Sequence, residues 1–292
     1  MRAVQRRLDY RAPLEARLVI DYLARRAIPG IEELVNGSYR RSLALEHGAG
    51  VTEFSAAEGH IRSRFLLEDD RDLDDAVARS RVLFDVDRDP ATVLAALGDA
   101  PLVGPSVRAT PGRRVPGHVD AHEIAVRAVL GQQVSLSGAA TLAGRLVADY
   151  GEPLPQPVGS VTHVFPSAAT LAAADPERLP IPGSRRRALL ALTSALASGE
   201  VSIDSDADPA RAREALLELP GIGPWTADYV ALRALRDPDV FLAGDLGVRR
   251  ALEGLGEDGS PFNAARLAED WRPFRAYALM HLWATLSPTA AA

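Results

Sequence analysis

The sequence contains no cysteine and no lysine, and all 33 of its basic side chains are arginine. Without cysteine the chain has no disulfide, no thiolate nucleophile and no cysteine-bound zinc or iron–sulfur centre. Without lysine no side-chain amine can form a Schiff base with a sugar, because arginine stays protonated and only the N-terminal amine remains. Covalent chemistry through a lysine is therefore excluded.

Long hydrophobic runs are also missing. The 292 residues include no run of eighteen apolar residues and no charged-then-apolar leader, so we expect a soluble, cytoplasmic protein that is not exported. The length is sufficient for two or three compact units.

The formal net charge of −6 argues mildly against nucleic-acid binding, because non-specific affinity for DNA comes from neutralising phosphates. The distribution of charge matters more than its total. Arginines gather at positions 108, 113 and 114, at 185–187, and at 249 and 250. Each cluster is compatible with phosphate binding and with an ordinary solvated face.

The most informative stretch lies between residues 216 and 250. Its segment 219–224, Leu-Pro-Gly-Ile-Gly-Pro, cannot continue a helix, because Pro220 lacks an N–H and Gly221 and Gly223 permit backbone angles that other residues avoid. Apolar periodicity on both sides predicts a helix-hairpin-helix, with the hairpin at about 216–232. Free amides at such a positive helix end bind phosphate, although a plain tight turn between packed helices is the alternative.

Aromatic and acidic residues follow this hairpin. Trp225 and Tyr229 lie one turn apart on the same predicted helical face, where core packing is the simpler interpretation. Asp245 comes after the apolar run 240–242, at the predicted start of a helix, and its local pattern is typical of an N-cap. The same carboxylate can both cap a helix and catalyse a reaction.

The remaining pattern divides the chain into two units. Residues 1–112 are predicted as α+β, with a helix at 14–27, strands at 39–45, 51–55 and 61–67, and helices at 72–84 and 91–97. A linker rich in proline, glycine and arginine is predicted at 103–118. Asp120 is then expected to cap a long helix, with Glu123 as its capping-box partner, and a break at 131–135 precedes the next helix.

The hairpin LPGIGPWTADY, followed by an aspartate after VFLAG, resembles the helix-hairpin-helix DNA glycosylase superfamily and, within it, the alkA-type DNA-3-methyladenine glycosylase II family. The resemblance covers nearly the whole chain. It implies an N-terminal α+β domain likened to half of the TATA-binding protein, residues 1–112, and an all-α helix-hairpin-helix glycosylase core, residues 113–292. The superfamily's lyases have a lysine where this chain has Trp225, and its endonuclease III branch has a four-cysteine cluster that this sequence lacks.

The resemblance also implies roles for individual residues. Asp245 is the expected catalytic residue. Four aromatic residues are expected to form the base pocket: Trp225, Tyr229, Trp283 and Tyr22. Five residues are expected to contact DNA: Gln132, Gln133, Gly221, Gly223 and Thr226. Three backbone carbonyls are expected to hold a monovalent cation, sodium or potassium: those of Leu217, Leu219 and Ile222.

The DNA wedge departs from the family pattern. Gln133 occupies the position that enters the gap left by the extruded base, where alkA-type sequences often have leucine. The wedge therefore acts either by stacking or by hydrogen bonds to the orphaned base.

The implied function is monofunctional excision of alkylated bases, 3-methyladenine and related purines, from double-stranded DNA in base excision repair. An alkylated purine is cationic and a good leaving group, so an aromatic cleft and one carboxylate suffice, with no cofactor required. We expect a monomer that does not bind membranes. Two alternatives stay open: a non-catalytic helix-hairpin-helix protein that senses DNA damage, and a glycosylase for oxidised or mismatched bases.

Overall fold

The computed structural model describes residues 1–204 and 206–286. The N-terminal unit is an antiparallel sheet of five strands in the order β1-β5-β4-β3-β2. The strands are β1 Arg2–Asp9, β2 Glu32–Val35, β3 Ser38–Leu45, β4 Gly48–Ala57 and β5 His60–Leu67. The helices of this unit are α1 Ala16–Ala24, α2 Leu73–Phe84, α3 Pro90–Leu97 and α4 Gly104–Ala109. The α+β prediction is confirmed, and α4 lies within the segment that was predicted as a linker.

Two strands of this sheet were not predicted. In the edge strand β1 only Leu8 is buried and Val4 is half-buried, while the other six side chains are exposed, so the sequence shows no clear apolar alternation. The other missed strand, β2, is only four residues long.

The second unit contains nine helices within the described residues: α5 Ala121–Leu130, α6 Leu136–Tyr150, α7 Ala168–Ala172, α8 Gly183–Ser198, α9 Pro209–Glu218, α10 Pro224–Arg233, α11 Leu246–Gly254, α12 Pro261–Ala268 and α13 Arg275–Thr285. A hairpin of β6 Pro153–Val158 and β7 Val161–His163 was not predicted, because its three prolines masked the strand pattern. Leu154 and Val161 of this hairpin pack with Val51 of β4 in a small cluster of their own.

The helix that follows the glycine-rich turn lies between the two main hydrophobic clusters. Ala231 and Leu232 of α10 belong to a cluster that joins the sheet to α11, α12 and α13. Ala227 and Val230 of α10 belong to another, which joins α5, α6, α8 and α9. Helix α10 is therefore fixed from both sides, and side chains on its remaining face have a rigid support.

Buried ion pairs connect the sheet to α5. Arg41 of β3 donates to Glu123 at 2.7 Å, and Arg127 donates to Glu32 of β2 at 3.0 Å. All four side chains are largely or fully buried. The predicted capping box is wrong in one half: Asp120 accepts a hydrogen bond from the amide of Glu123, but the Glu123 carboxylate binds arginines instead of the Asp120 amide.

The positive charge around Glu123 shifts its titration. Burial acts to raise the pKa of Glu123, but Arg41, His118 and Arg127 outweigh that effect and hold it well below its usual range. The sheet and the helical unit are thus joined by carboxylates that remain charged. Among the described residues, no helix combines the length and the apolar character needed to cross a bilayer.

Candidate active site

The predicted helix-hairpin-helix is confirmed as α9, a turn and α10. Gly221 has a φ of +83°, and a Cβ on it would lie 2.7 Å from the Cβ of Ala188 in α8. Both the backbone angle and the close approach therefore require glycine at this position. Gly223 faces open space, and Pro224 begins α10 at the position where a missing N–H costs no hydrogen bond.

Three amides of the turn are available to a ligand. Within the part of the chain that the structure describes, the N–H groups of Gly221, Gly223 and Trp225 donate to no protein acceptor. They lie at the N-terminus of α10, where the helix dipole favours an anion. The predicted phosphate contact by these amides remains a prediction, and the geometry is compatible with it.

Thr226 lies beneath the turn. It is only 3% exposed, its amide donates to the Gly223 carbonyl at 3.0 Å, and its hydroxyl accepts from Gln132 Nε2 at 3.0 Å. The predicted contact of Thr226 with DNA remains a prediction. Thr226 supports the turn from within.

Gln132 connects the α5–α6 loop to the turn. Its Nε2 donates to the Gly221 carbonyl at 3.0 Å as well as to Thr226. The next residue, Gln133, is exposed and has a φ of +55°, which is uncommon for a residue other than glycine. Val134 and Leu136 beside it are also exposed. The loop thus offers one amide and two apolar side chains to a partner while Gln132 ties it to the turn.

Asp245 is both a helix cap and the centre of an aromatic cluster. Its Oδ1 accepts from the Val248 amide at 3.1 Å, which caps α11, and from Trp283 Nε1 at 2.8 Å. Its Oδ2 accepts from Trp225 Nε1 at 2.9 Å. The carboxylate is half-buried, and among the described residues it takes part in no ion pair. Three neutral N–H groups therefore fix its direction without cancelling its charge.

The aromatic residues extend away from this carboxylate. The ring of Trp225 stacks on that of Tyr229, with centroids 5.3 Å apart and planes 17° from parallel. Trp225, Tyr229 and Trp283 are each half-buried, so none of the three residues is sealed within the core. Aromatic rings can stack on a planar base wherever a ring face is accessible.

Beyond Tyr229 lies a buried arginine. Arg233 of α10 donates from Nη1 to the hydroxyls of Tyr22 and Tyr229 at 2.9 and 3.0 Å. Its other nitrogens donate to the carbonyls of Pro116 and Gly117. Tyr22 belongs to α1, so the N-terminal unit contributes a side chain to this cluster as well as supporting the helices.

The positive charges also affect the two phenols. Burial raises the pKa of Tyr22 more than the charge of Arg233 lowers it. For Tyr229 the balance is reversed: desolvation acts upward, but the charges of Arg233 and Arg26 prevail and lower its pKa. The guanidinium of Arg26 lies 3.7 Å from the centre of the Tyr22 ring. The cluster is thus cationic at its Tyr22 end and anionic at Asp245.

The predicted cation ligands lie in the hairpin. The Leu219 carbonyl accepts from the Ile222 amide at 3.1 Å, which closes the turn and leaves one of its lone pairs for a ligand. Carbonyl oxygens are suitable donors for a hard cation. No group of acidic, histidine or cysteine side chains in the described ranges could hold a metal ion. Binding of a monovalent cation by Leu217, Leu219 and Ile222 remains a prediction.

Comparison with known proteins supports the resemblance. Residues 5–120 match the AlkA N-terminal domain family. The DNA-3-methyladenine glycosylase 2 of Escherichia coli is 36% identical over 285 residues, which cover 95% of this chain and 96% of that protein. The chain belongs to the AlkA family of DNA-3-methyladenine glycosylases.

Two further comparisons extend this result. A probable bifunctional transcriptional activator/DNA repair enzyme AlkA of Mycobacterium tuberculosis is 46% identical over 97% of this chain, and the chain spans only 57% of that relative's length. The solved structure of a 3-methyladenine DNA-glycosylase from Archaeoglobus fulgidus superposes with a TM-score of 0.81 at 20% identity, covering 96% of this chain and 97% of the other. The second comparison shows that the overall fold is shared.

The structure of this AlkA family member brings most of the predicted site residues together. Asp245, Trp225 and Trp283 are joined by hydrogen bonds, Trp225 stacks on Tyr229, and Tyr229 is linked through Arg233 to Tyr22. A second group, around Gln132, contains Gly221 and Thr226.

Sequence reasoning missed Arg233 and Gly247. Arg233 follows Trp225 and Tyr229 at intervals of four on one helical face, a spacing that could have revealed it. Gly247 adjoins the Asp245–Trp283 hydrogen bond, and its only sequence signal is a glycine in the first turn of a helix, where glycine is unfavourable.

The arginine clusters are less uniform than their sequence suggests. Arg114 is 1% exposed and donates to the carbonyls of Arg11 and Pro13, so it cannot contact a partner. Arg249 and Arg250 are both exposed, and Arg249 pairs with Glu253 of the same helix. The basic residues at 108, 113 and 114 therefore do not form one continuous phosphate-binding surface.

Proposed function

We propose that this protein is a monofunctional DNA glycosylase that excises 3-methyladenine and related alkylated purines from double-stranded DNA. The observation that carries the proposal is the Asp245 carboxylate, held between the indoles of Trp225 and Trp283 with no cation paired to it among the described residues. A protein that only binds DNA has no need of an uncompensated carboxylate in contact with half-exposed aromatic rings.

Substrate recognition begins with extrusion of the damaged nucleotide, because the glycosidic bond is inaccessible inside a duplex. The half-exposed rings of Trp225, Tyr229 and Trp283 then offer faces on which the base can stack. A purine alkylated at a ring nitrogen is positively charged, and its attraction to an aromatic face is worth about 1–2 kcal/mol when water is excluded. Undamaged purines are neutral and lack this attraction.

Bond cleavage relies on the charge of Asp245. As the base leaves, positive charge develops on the sugar, and a carboxylate already fixed by three N–H groups stabilises that charge without reorganising. The same carboxylate can orient or deprotonate the attacking water. No proton need be supplied to a cationic leaving base, so a second acid is not required.

We assign binding of the DNA backbone to the hairpin and the α5–α6 loop. The amides of Gly221, Gly223 and Trp225 would bind a phosphate, and Gln133 would enter the gap that the base leaves. A monovalent cation on the hairpin carbonyls would add to this contact. These backbone contacts should be indifferent to sequence and weaken as salt rises. We further propose that the enzyme acts as a monomer in the cytoplasm.

The reaction is proposed to stop at the abasic site, because the chain has no lysine to form a Schiff base. The test is to incubate the purified protein with DNA treated with a methylating agent and to identify the bases released. We expect free 3-methyladenine, with strand breaks only after alkali. Binding without base release would instead support a damage sensor, and release of oxidised or mismatched bases alone would support the other alternative.

A further inference from the structure

Gly247 occupies a position where a side chain cannot fit. It lies in the first turn of α11, two residues after Asp245. A Cβ built on Gly247 would lie 2.8 Å from Asp245 Oδ1 and 3.0 Å from both Nε1 and Cδ1 of Trp283. Carbon atoms of real side chains do not approach heavy atoms as closely as 2.8 Å, so at least one of these neighbours would have to move.

The two neighbours are the partners of one hydrogen bond. Trp283 Nε1 donates to Asp245 Oδ1 at 2.8 Å, and the same oxygen accepts from the Val248 amide. The other carboxylate oxygen is held by Trp225. Asp245 cannot retreat without losing the helix cap or the Trp225 bond, and Trp283 cannot retreat without losing its bond to Asp245.

Other glycines of this region are not constrained in this way. A Cβ on Gly254, the last residue of α11, would have no heavy atom within 4 Å, and the same holds for Gly244. The close fit is therefore a property of position 247 and not of the helix as a whole. It exists because the indole of Trp283 crosses the first turn of α11 to reach the carboxylate.

We infer that Gly247 is a positioning residue, whose missing side chain lets Trp283 bond Asp245 and thereby aims the carboxylate at the sugar of the flipped nucleotide. This inference rests on the proposed function. Adding one methyl group at Gly247 should lower the rate of base excision by misdirecting Asp245, while the hairpin and the α5–α6 loop continue to bind DNA.

The experiment compares Gly247→Ala with Gly254→Ala, a matched control on the same helix. Two quantities are measured for each: the single-turnover rate of 3-methyladenine release, and the affinity for two abasic-site duplexes. One duplex carries a cationic pyrrolidine in place of the sugar, which mimics the developing charge, and the other carries a neutral tetrahydrofuran. The ratio of the two affinities reports how well Asp245 faces the cation.

For Gly247→Ala we expect a rate at least about tenfold lower, and a pyrrolidine preference reduced by a similar factor, because the affinity for the pyrrolidine duplex falls. Affinity for the neutral duplex should stay within about twofold of the parent, since phosphate contacts dominate it. The Gly254→Ala control should match the parent in all measurements. An unchanged pyrrolidine preference in folded Gly247→Ala would overturn the inference.

A second variant keeps the inference testable if Gly247→Ala does not fold. Trp283→Phe retains an aromatic ring but removes the Nε1–H that donates to Asp245. It should therefore lower the pyrrolidine preference as well. Combining it with Gly247→Ala should add little, because both remove one interaction. An unchanged pyrrolidine preference in Trp283→Phe would contradict the inference. If the parent prefers pyrrolidine but releases no alkylated base, the proposed substrate is wrong while the role of Gly247 is still decided by the affinity ratio.

Discussion

Asp245 and Glu123 are both carboxylates near the start of a helix, yet their partners differ in charge. Glu123 is buried and binds two arginines, Arg41 and Arg127. Asp245 is half-buried and accepts only from neutral groups, the indoles of Trp225 and Trp283 and one backbone amide. Both are held in one direction, but only Asp245 keeps an unpaired negative charge within the described structure.

This difference separates a structural carboxylate from the one that we propose to be catalytic. Positive side chains around Glu123 cancel its charge locally, so its contribution is to hold the sheet against α5. Neutral donors around Asp245 orient it and leave its field available to a cation that forms beside it. Changes in the ion cluster around Glu123 should therefore lower the free energy of unfolding. Changes at Asp245 should instead lower the rate of base excision.

The largest expected effect is on the stability of the ion cluster. Arg41→Met removes one arginine from between Glu32 and Glu123 and should lower the free energy of unfolding by about 3–5 kcal/mol, because it leaves a buried charge without its partner. Denaturant unfolding followed by circular dichroism measures this change. Arg64→Met, at an exposed position on β5, is the control and should change stability by less than about 0.5 kcal/mol. Equal stability of the two variants would show that the cluster does not hold the units together.

The next effect is on turnover at Asp245. Asn is as good an N-cap as Asp, so Asp245→Asn should keep α11 intact while removing the charge. By analogy with the loss of one electrostatic group in other active sites, base excision should fall by at least about 10²–10³-fold. Asp208→Asn is the matched control, since Asp208 caps α9 without touching an indole.

Single-turnover assays on methylated DNA provide the measurement, and thermal melting checks the fold. Asp208→Asn should excise within about twofold of the parent. Folded Asp245→Asn with parental activity would remove Asp245 from the mechanism.

A smaller effect should appear when the pH is lowered. The pKa of Glu123 is held well below its ordinary value of 4.5, and burial lowers the pKa of His118 below 6.5. For both groups the unfolded chain binds more protons than the folded protein as pH falls, so both contribute stability that is lost toward acid. The loss should begin near pH 6.5 through His118 and steepen below about pH 4.5 through Glu123.

Urea unfolding at several pH values between 7 and 4 tests this, at constant ionic strength. In Arg41→Met the dependence should be shallower below pH 4.5, because Arg41 is the first of the charges that depress the pKa of Glu123. A curve of the same steepness in both proteins would mean that other carboxylates dominate the acid response.

The hairpin illustrates what local sequence can determine. Pro220, Gly221 and Gly223 cannot continue a helix whatever surrounds them, so the turn and both its helices were predictable. Strand β1 and the β6–β7 hairpin were not, because edge position and proline content remove the apolar alternation on which strand prediction depends. The pairing of β1 is also decided by a distant partner, β5, which no local window contains.

The candidate site was likewise predictable only in part from local sequence. The spacing of Trp225 and Tyr229 places them on one face of a helix, but Trp283 lies 38 residues beyond Asp245 and entered only through the family resemblance. No sequence pattern could tell that Thr226 is buried or that Gly247 lies against an indole. Such contacts depend on how α10, α11 and α13 pack, which the sequence specifies only through the whole core.

The smallest expected effect concerns Gln132, the side chain that links the end of helix α5 to the hairpin. Helix α5 is held near its start by the ion pairs of Glu123, and just beyond its end Gln132 bonds Gly221 and Thr226 of the hairpin. Gln132→Ala removes two hydrogen bonds, each worth about 0.5–1.5 kcal/mol, and loosens the loop relative to the hairpin turn. Affinity for a tetrahydrofuran abasic duplex should fall by about five- to tenfold, because ordering the loop then opposes binding.

Gln133→Ala provides the contrast, since Gln133 is exposed and makes no such bond to the turn. It should leave the thermal melting temperature of the free protein unchanged, whereas Gln132→Ala should lower it by a few degrees. If Gln132→Ala binds the duplex and melts like the parent, the loop and the hairpin act independently. The coupling that begins at the ion cluster would then end at α5 and not reach the hairpin turn.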